Sequence, residues 1–160
     1  NWTLSYSEYD DDLEPFFTKN VGEEFCPLRK RLMGLLAEET KLMEIVKLIG
    51  SDVLPDSQKL TIEIAKIVRT GFLQQNAYHA EDTYVPMEKQ LLMMKIIMYV
   101  YDKSAALVNE GVTISRIAQT GIFEKITKIK YDIPNEKLEM FKDYFKDVDT
   151  IAQKLLSEKI

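Results

Sequence analysis

Side chains able to do chemistry are sparse in this chain, and they gather in one place. The stretch "FLQQNAYHAEDTY", Phe72 to Tyr84, holds two glutamines, an asparagine, two tyrosines, the only histidine and two acids. Glutamine and asparagine amides pair a donor with an acceptor, the pattern that the edge of an adenine presents. The ring of Tyr78 offers a face for stacking a flat base, an interaction worth roughly 1–3 kcal/mol in nucleic-acid binders. The same composition also fits a plain polar connector between helices, and the residues alone leave both readings open. His79, Glu81 and Asp82 could meet a metal together, but metal sites need more ligands in fixed geometry, so a solvated loop is the simpler reading. Cys26 and His79 are the sole cysteine and histidine. They cannot build a standard zinc site, and as a nucleophile and base they would need a long-range coincidence. No glycine is followed by lysine and no G-x-G-x-x-G occurs, so neither phosphate-binding loop is present. No catalytic residue and no metal site is expected within this chain.

The elements that must position such a loop are helical almost throughout. Leu28, Leu32, Leu35, Leu36, Met43, Val46 and Ile49 recur at steps of three and four with one wider gap. Pro27 is expected as the first helical residue and Gly50 as the stop. After the loop "SDVLPDS" a second helix is expected from about Ser57 to Leu73, with Asp56 as its N-cap and Leu60, Ile64, Ile67, Val68 and Phe72 on one side. Pro86 opens a long helix to about Glu110, whose broad apolar face (Leu91, Met94, Ile97, Met98, Tyr101, Ala105, Val108) predicts a central position. Thr113 is an expected N-cap for "ISRIAQTGIFEKITKIK", with Gly121 inside it at a cost of about 1 kcal/mol if that helix is continuous. "YDIP" breaks the pattern. Pro134 is expected to open the last helix, where Leu138, Phe141, Phe145, Val148, Ala152 and Leu155 form a heptad-like seam. "YDDDLEPFFTKN" reads as a short helix or turn with acids at its start. No run has the period of a strand. The fold class expected is all-α, a helical bundle of about six helices.

Composition narrows the function. The 160 residues suit one domain with an ordinary apolar share of 46%. A net charge of -5 argues against a general nucleic-acid binder. The longest apolar run, "LLMMKIIMYVY", is too short to span a bilayer and contains Lys95, so direct membrane insertion is not expected. The N-terminal "NWTLSYSEYDDD" has neither the basic region nor the apolar core of a signal peptide. With Trp2, Leu4, Tyr6 and Tyr9 so close together, it reads as a piece cut from a longer protein.

Two stretches change the reading of the loop. "NWTLSYSEY" and "IVKLIGSDVLPDSQKLTIEIAKIVRTGFLQQNAYHAEDTYVPMEKQ" resemble the C-terminal region of the catalytic A subunit of archaeal A-type and vacuolar-type rotary ATPases, with the segment "FLQQNAY…DTY.P.EKQ" the most specific part. The resemblance is strongest over residues 1–100. It implies that residues 1–9 end a nucleotide-binding domain or linker, and that 10–160 form a C-terminal helical bundle domain. It implies that Gln75, Asn76, Ala77 and Tyr78 lie near the adenine, with Tyr78 where the family more often has phenylalanine. The P-loop, its lysine and the catalytic glutamate would precede this region. ATP or ADP with Mg2+ would therefore bind the full subunit, and nothing would bind this piece tightly. By similarity to the more distant F-type catalytic subunit, the stretch Ser51, Asp52, Val53, Leu54, Pro55, Asp56, Ser57 and Gln58 would contact the central stalk, although only Asp52 and Asp56 are acidic. The implied partners are the non-catalytic B subunits and the central-stalk subunits. The implied location is cytoplasmic, peripheral to the membrane in the soluble sector. A helix of that second segment's length, roughly 25 Å, would join the two contact regions. The rival reading is a non-enzymatic helical interaction module, in which the Leu138–Leu155 seam pairs with a partner and the glutamine-rich loop only connects.

Overall fold

A computed structural model of the chain describes residues 25–73 and 87–158. The expected N-terminal helix or turn at "YDDDLEPFFTKN" lies outside them, as does Pro86. The described residues form seven α-helices and no strands, so the all-α expectation holds. Helix α1 runs Phe25–Ile49. It begins two residues before Pro27, because Phe25 and Cys26 are buried and extend the first turn, where proline's missing N–H costs nothing. Gly50 ends α1 as expected. Its φ of 87° suits only glycine, and its N–H returns to the Val46 carbonyl at 2.9 Å.

The apolar stripe of α1 is not quite the expected one. Leu32, Leu35 and Leu36 are buried, but the next turns bury Glu39 and Leu42, while Met43 and Ile49 face outward. Glu39 takes a core-facing position because Arg69 reaches it from the next helix: Nε donates to Oε1 at 3.1 Å and a second guanidinium nitrogen donates to Oε2. The paired donors leave the carboxylate bonded rather than stranded.

Helix α2 spans Asp56–Ile67 and continues into a π-helical turn, Val68–Leu73. Leu60, Ile64, Ile67, Val68 and Phe72 are all buried, as their spacing predicts. Asp56, however, is the first residue of α2 and not its N-cap, a position taken by Pro55. The Asp56 carboxylate instead accepts the backbone N–H of Ile114 at 3.0 Å and so caps a helix elsewhere in the fold.

Helix α3, Met87–Asn109, occupies the middle of the bundle against α1, α2 and the C-terminal helix. Met93, Met94 and Met98 fill the core at 2% exposure or less, alongside Ile96, Ile97 and Val100. Burying a side chain of that size contributes about 1.5–3 kcal/mol. Thr113 then caps α4 (Ile114–Gln119), its Oγ1 accepting from Arg116 N at 3.3 Å.

The helix expected to run on through Gly121 is broken into three. Gly121 sits at φ 81°, left-handed, and separates α4 from α5 (Ile122–Thr127); α6 (Ile129–Asp132) follows. A glycine there removes the steric penalty of ending one helix and starting another in a new direction. The pattern breaks at "YDIP" as expected, with Ile133 extended before Pro134. The last long helix, α7, does not open at Pro134. A 3-10 turn, Leu138–Met140, comes first, and α7 runs Phe141–Ser157. Its seam residues Phe141, Val148, Ala152 and Leu155 are buried and Phe145 and Leu138 partly so. They pack along α3, the most extensive helix pairing in the described fold.

Candidate functional site

The sequence places one expected contact region before the α2 segment and the other after it. At the first end, Ser51–Val53 form a single 3-10 turn between Gly50 and Leu54. Leu54 is buried at 6% exposure, with its N–H bonded to the Ser51 carbonyl at 3.1 Å. The Pro55 carbonyl accepts from Gln58 N and Lys59 N, starting α2. Ser51, Asp52, Val53, Pro55 and Ser57 are exposed, while Asp56 and Gln58 are half-buried. Of the two acids here, only Asp52 points to solvent; Asp56 is committed to Ile114 N. Near the turn stand exposed apolar residues: Val53, in the expected stalk contact, is 57% exposed, and Leu48 and Ile49, which the sequence reading left out of it, are 84% and 62% exposed. Large apolar side chains left this exposed are a feature of interaction surfaces.

At the other end, Gln75, Asn76, Ala77 and Tyr78 lie outside the described residues, as do His79, Glu81 and Asp82. The structure describes what holds the two flanks of that stretch. The π turn Val68–Leu73 packs on α5 and α6. A Cβ at Gly71 would lie 2.7 Å from the Thr127 carbonyl oxygen and 3.0 Å from Thr127 Cα, so this contact admits only glycine. Arg69 in the same turn ties back to Glu39 on α1. On the far flank, Lys89 stands in the first turn of α3 with 0% exposure. Its Nζ donates to the Lys130 carbonyl at 2.8 Å, the Ile133 carbonyl at 2.6 Å and Asn135 Oδ1 at 2.9 Å. Three donors meet three acceptors, at the C-terminal end of α6 where a cation is favoured.

Sequence reasoning missed Lys89 and Glu39, yet both carry a signal. Lys89, Met93, Ile96 and Val100 share the buried register of α3, and Glu39 sits between Leu36 and Leu42 on that of α1. A charged residue on the core period of a helix announces a buried partner without naming it.

A second polar cluster lies along α3 and α7. Tyr99 donates its hydroxyl to Asp149, which also faces Lys103 Nζ at 3.7 Å. That hydrogen bond, with burial and the nearby Asp149 charge, raises the Tyr99 pKa above its ordinary 10.0. Burial, with the Asp132 and Asp147 charges, likewise raises Tyr144, and the adjacent Lys125 partly opposes the shift. Grooves of about 740 and 640 Å³ open on either side of Tyr99. Their linings hold no histidine or cysteine, and Cys26 is buried. Among the described residues no three acids, histidines or cysteines gather as a metal site. No helix there is long and apolar enough to cross a membrane.

Comparison with known proteins gives this arrangement a family. Residues 14–118 match the family described as the C-terminal domain of V and A type ATP synthase. The chain is 45% identical over 158 residues to the V-type ATP synthase alpha chain 2 of Clostridium tetani, covering 99% of this chain and 27% of that protein. It is 43% identical to the V-type ATP synthase alpha chain of Halothermothrix orenii, covering 97% and 26%. It is 38% identical to the A subunit of the A-type ATP synthase of Methanopyrus kandleri, covering 99% and 27%. The chain thus spans about a quarter of the length of these relatives. The match over residues 14–118 and these relatives place it plainly: the chain belongs to the family of C-terminal domains of V and A type ATP synthases.

Proposed function

We propose that this chain is the C-terminal helical domain of the catalytic subunit of a rotary ATPase, which couples ATP synthesis or hydrolysis to the transport of protons or sodium ions. Gln75, Asn76, Ala77 and Tyr78 supply the adenine side of the nucleotide site, and Ser51–Gln58 meet the central stalk. The phosphate side, with its lysine and Mg2+, belongs to a domain outside this chain. Non-catalytic B subunits and stalk subunits are its partners, in the soluble sector peripheral to the membrane. The observation that carries this reading is that one uninterrupted helical segment, Asp56 to Leu73, leads from the Ser51–Val53 turn to the threshold of the Gln75–Tyr78 stretch. A stalk that pushes on one end tilts the other, and the tilt alters the adenine contact. The exposed rim of Leu48, Ile49 and Val53 supports a partner at the stalk end. The rival interaction module loses its main feature, because the Leu138–Leu155 seam packs inside the bundle on α3.

The test is made in the whole subunit. Tyr78→Ala weakens nucleotide binding by about 1–3 kcal/mol, the worth of a stacked base, while Tyr78→Phe keeps the ring and changes little. Unaltered affinity in Tyr78→Ala refutes the adenine assignment. The isolated chain hydrolyses no ATP, and micromolar ATP binding to it by calorimetry contradicts the division of the site between two domains.

A further inference from the structure

Two contacts described above converge on one short stretch of chain. Gly71, at the end of the α2 segment, lies against the backbone of Thr127. Lys89, at the start of α3, is bonded to Lys130, Ile133 and Asn135. Gly71 and Lys89 flank residues 74–86 from opposite sides. Both therefore register against Thr127–Asn135, the region where α5 and α6 end and the chain turns toward α7.

We infer that Thr127–Asn135 is an anchoring platform, and that Gly71 and Lys89 are positioning residues which set the two flanks of the adenine-facing stretch relative to one another. The inference rests on the nucleotide reading proposed above. Its physical basis is the cost of the arrangement. An ammonium with 0% exposure carries a desolvation penalty that an apolar side chain would avoid. The return is specificity of place: one cation, at one height on α3, satisfies two backbone carbonyls and one amide oxygen that no methyl group could satisfy. The Gly71 contact has the same character, since an approach closer than any Cβ permits fixes the π turn against α5. A π turn bonds less regularly than an α-helix and recurs at functional sites, so here an external anchor holds the part of the segment that needs one.

The experiment compares wild type, Lys89→Met, Asn135→Ala and Tyr78→Ala in the whole subunit, titrated with ATP and with ITP, whose base lacks the adenine amino group. Loss of an anchor lowers the fraction of molecules in which Gln75 and Asn76 meet the base edge; the rest still hold either nucleotide by its phosphates, so ATP affinity falls toward that of ITP. Lys89→Met is expected to weaken ATP binding about fivefold and to move the ATP-to-ITP preference toward one. Asn135→Ala removes a single acceptor from a partly exposed position and gives a smaller change of the same sign. Simple loss of folded protein lowers the number of sites for both nucleotides and leaves the preference alone, so a merely structural role is distinguished. An unchanged preference in Asn135→Ala and in whatever Lys89→Met folds, beside weakened binding of both nucleotides in Tyr78→Ala, overturns the anchoring and spares the nucleotide reading. Unweakened binding in Tyr78→Ala as well overturns both.

Discussion

Gly71→Ala and Gly34→Ala are the same chemical change with opposite expected signs. At Gly71 the new Cβ meets three backbone atoms of Thr127 at 2.7, 3.0 and 3.2 Å, all inside the 3.4 Å at which ordinary contact begins. None belongs to a flexible side chain that could swing aside. Either α5 or the π turn must move, and overpacking of this kind costs about 1–3 kcal/mol. Alanine restricts the unfolded chain and so returns about 0.4–1 kcal/mol. The net expectation is a destabilisation of about 1–2 kcal/mol, a fall in Tm of roughly 2–8 °C for a chain of this size. Gly34 is exposed in the middle of α1, has no neighbour within 4 Å of an added methyl and does not need positive φ. Gly34→Ala should therefore stabilise by about 0.5–1 kcal/mol. Urea denaturation followed by far-UV circular dichroism measures both in one series. If Gly34→Ala stabilises as expected but Gly71→Ala is neutral or stabilising, the close contact between the π turn and Thr127 is refuted, and the platform loses one of its two anchors.

Asp56→Ala strips α4 of the acceptor for Ile114 N and should cost about 1 kcal/mol; Asp56→Asn, which keeps an oxygen there, should recover much of it in the same urea series. The tyrosines make stability fall in alkali. For Tyr99 and Tyr144 the folded state holds the proton more tightly than the unfolded chain does, so their contribution is full below pH 10 and is lost as pH rises through the folded values. Tyr99→Phe should flatten that alkaline loss in a pH series of unfolding midpoints, and an unchanged slope counts against the Asp149 hydrogen bond as its cause.

The helices were legible in sequence wherever apolar spacing was long and regular. The stripes of α2, α3 and α7 could be read because burying one face of a long helix leaves a period of three and four that few other structures produce. Legibility failed at three kinds of position. Gly121 has the same letter whether it sits in a helix at a small cost or turns the chain left-handed, and only the packing of α5 against α2 decides between them. Asp56 is a good cap by type, but which helix it caps depends on α4 arriving beside it in three dimensions. Glu39 and Lys89 sit on core registers, so their burial was readable in principle, while their partners lie 30 and 41–46 residues away along the chain. The candidate site divides in the same way. The stretch Gln75–Tyr78 drew notice through its residue types, and the matched family gave it a context. The exposure of Ile49 was hidden because in sequence it continues the core stripe of α1, while Val53 was already read as part of the stalk contact.

The exposed rim of Leu48, Ile49 and Val53 and the anchored π turn bear on one another in the proposed motor. A helix transmits displacement only as faithfully as its softest point allows, and the softest point of the Asp56–Leu73 segment is the π turn, where regular α bonding gives way. The fold places two attachments at that point: Arg69 to Glu39 on one side and Gly71 to Thr127 on the other. The opposite end bears a short turn with one buried leucine, Leu54, beneath exposed apolar side chains, and Asp56 is bonded to Ile114 N just behind it. An end that exposes apolar side chains offers a partner a surface to press, and an end tied to Glu39 and Thr127 hands the movement to α1 and α5 together. On this view the stalk would act by pressing on apolar surface, since Asp52 is the one fully exposed acid of Ser51–Gln58, and the bundle would answer as a block through Glu39 and Thr127.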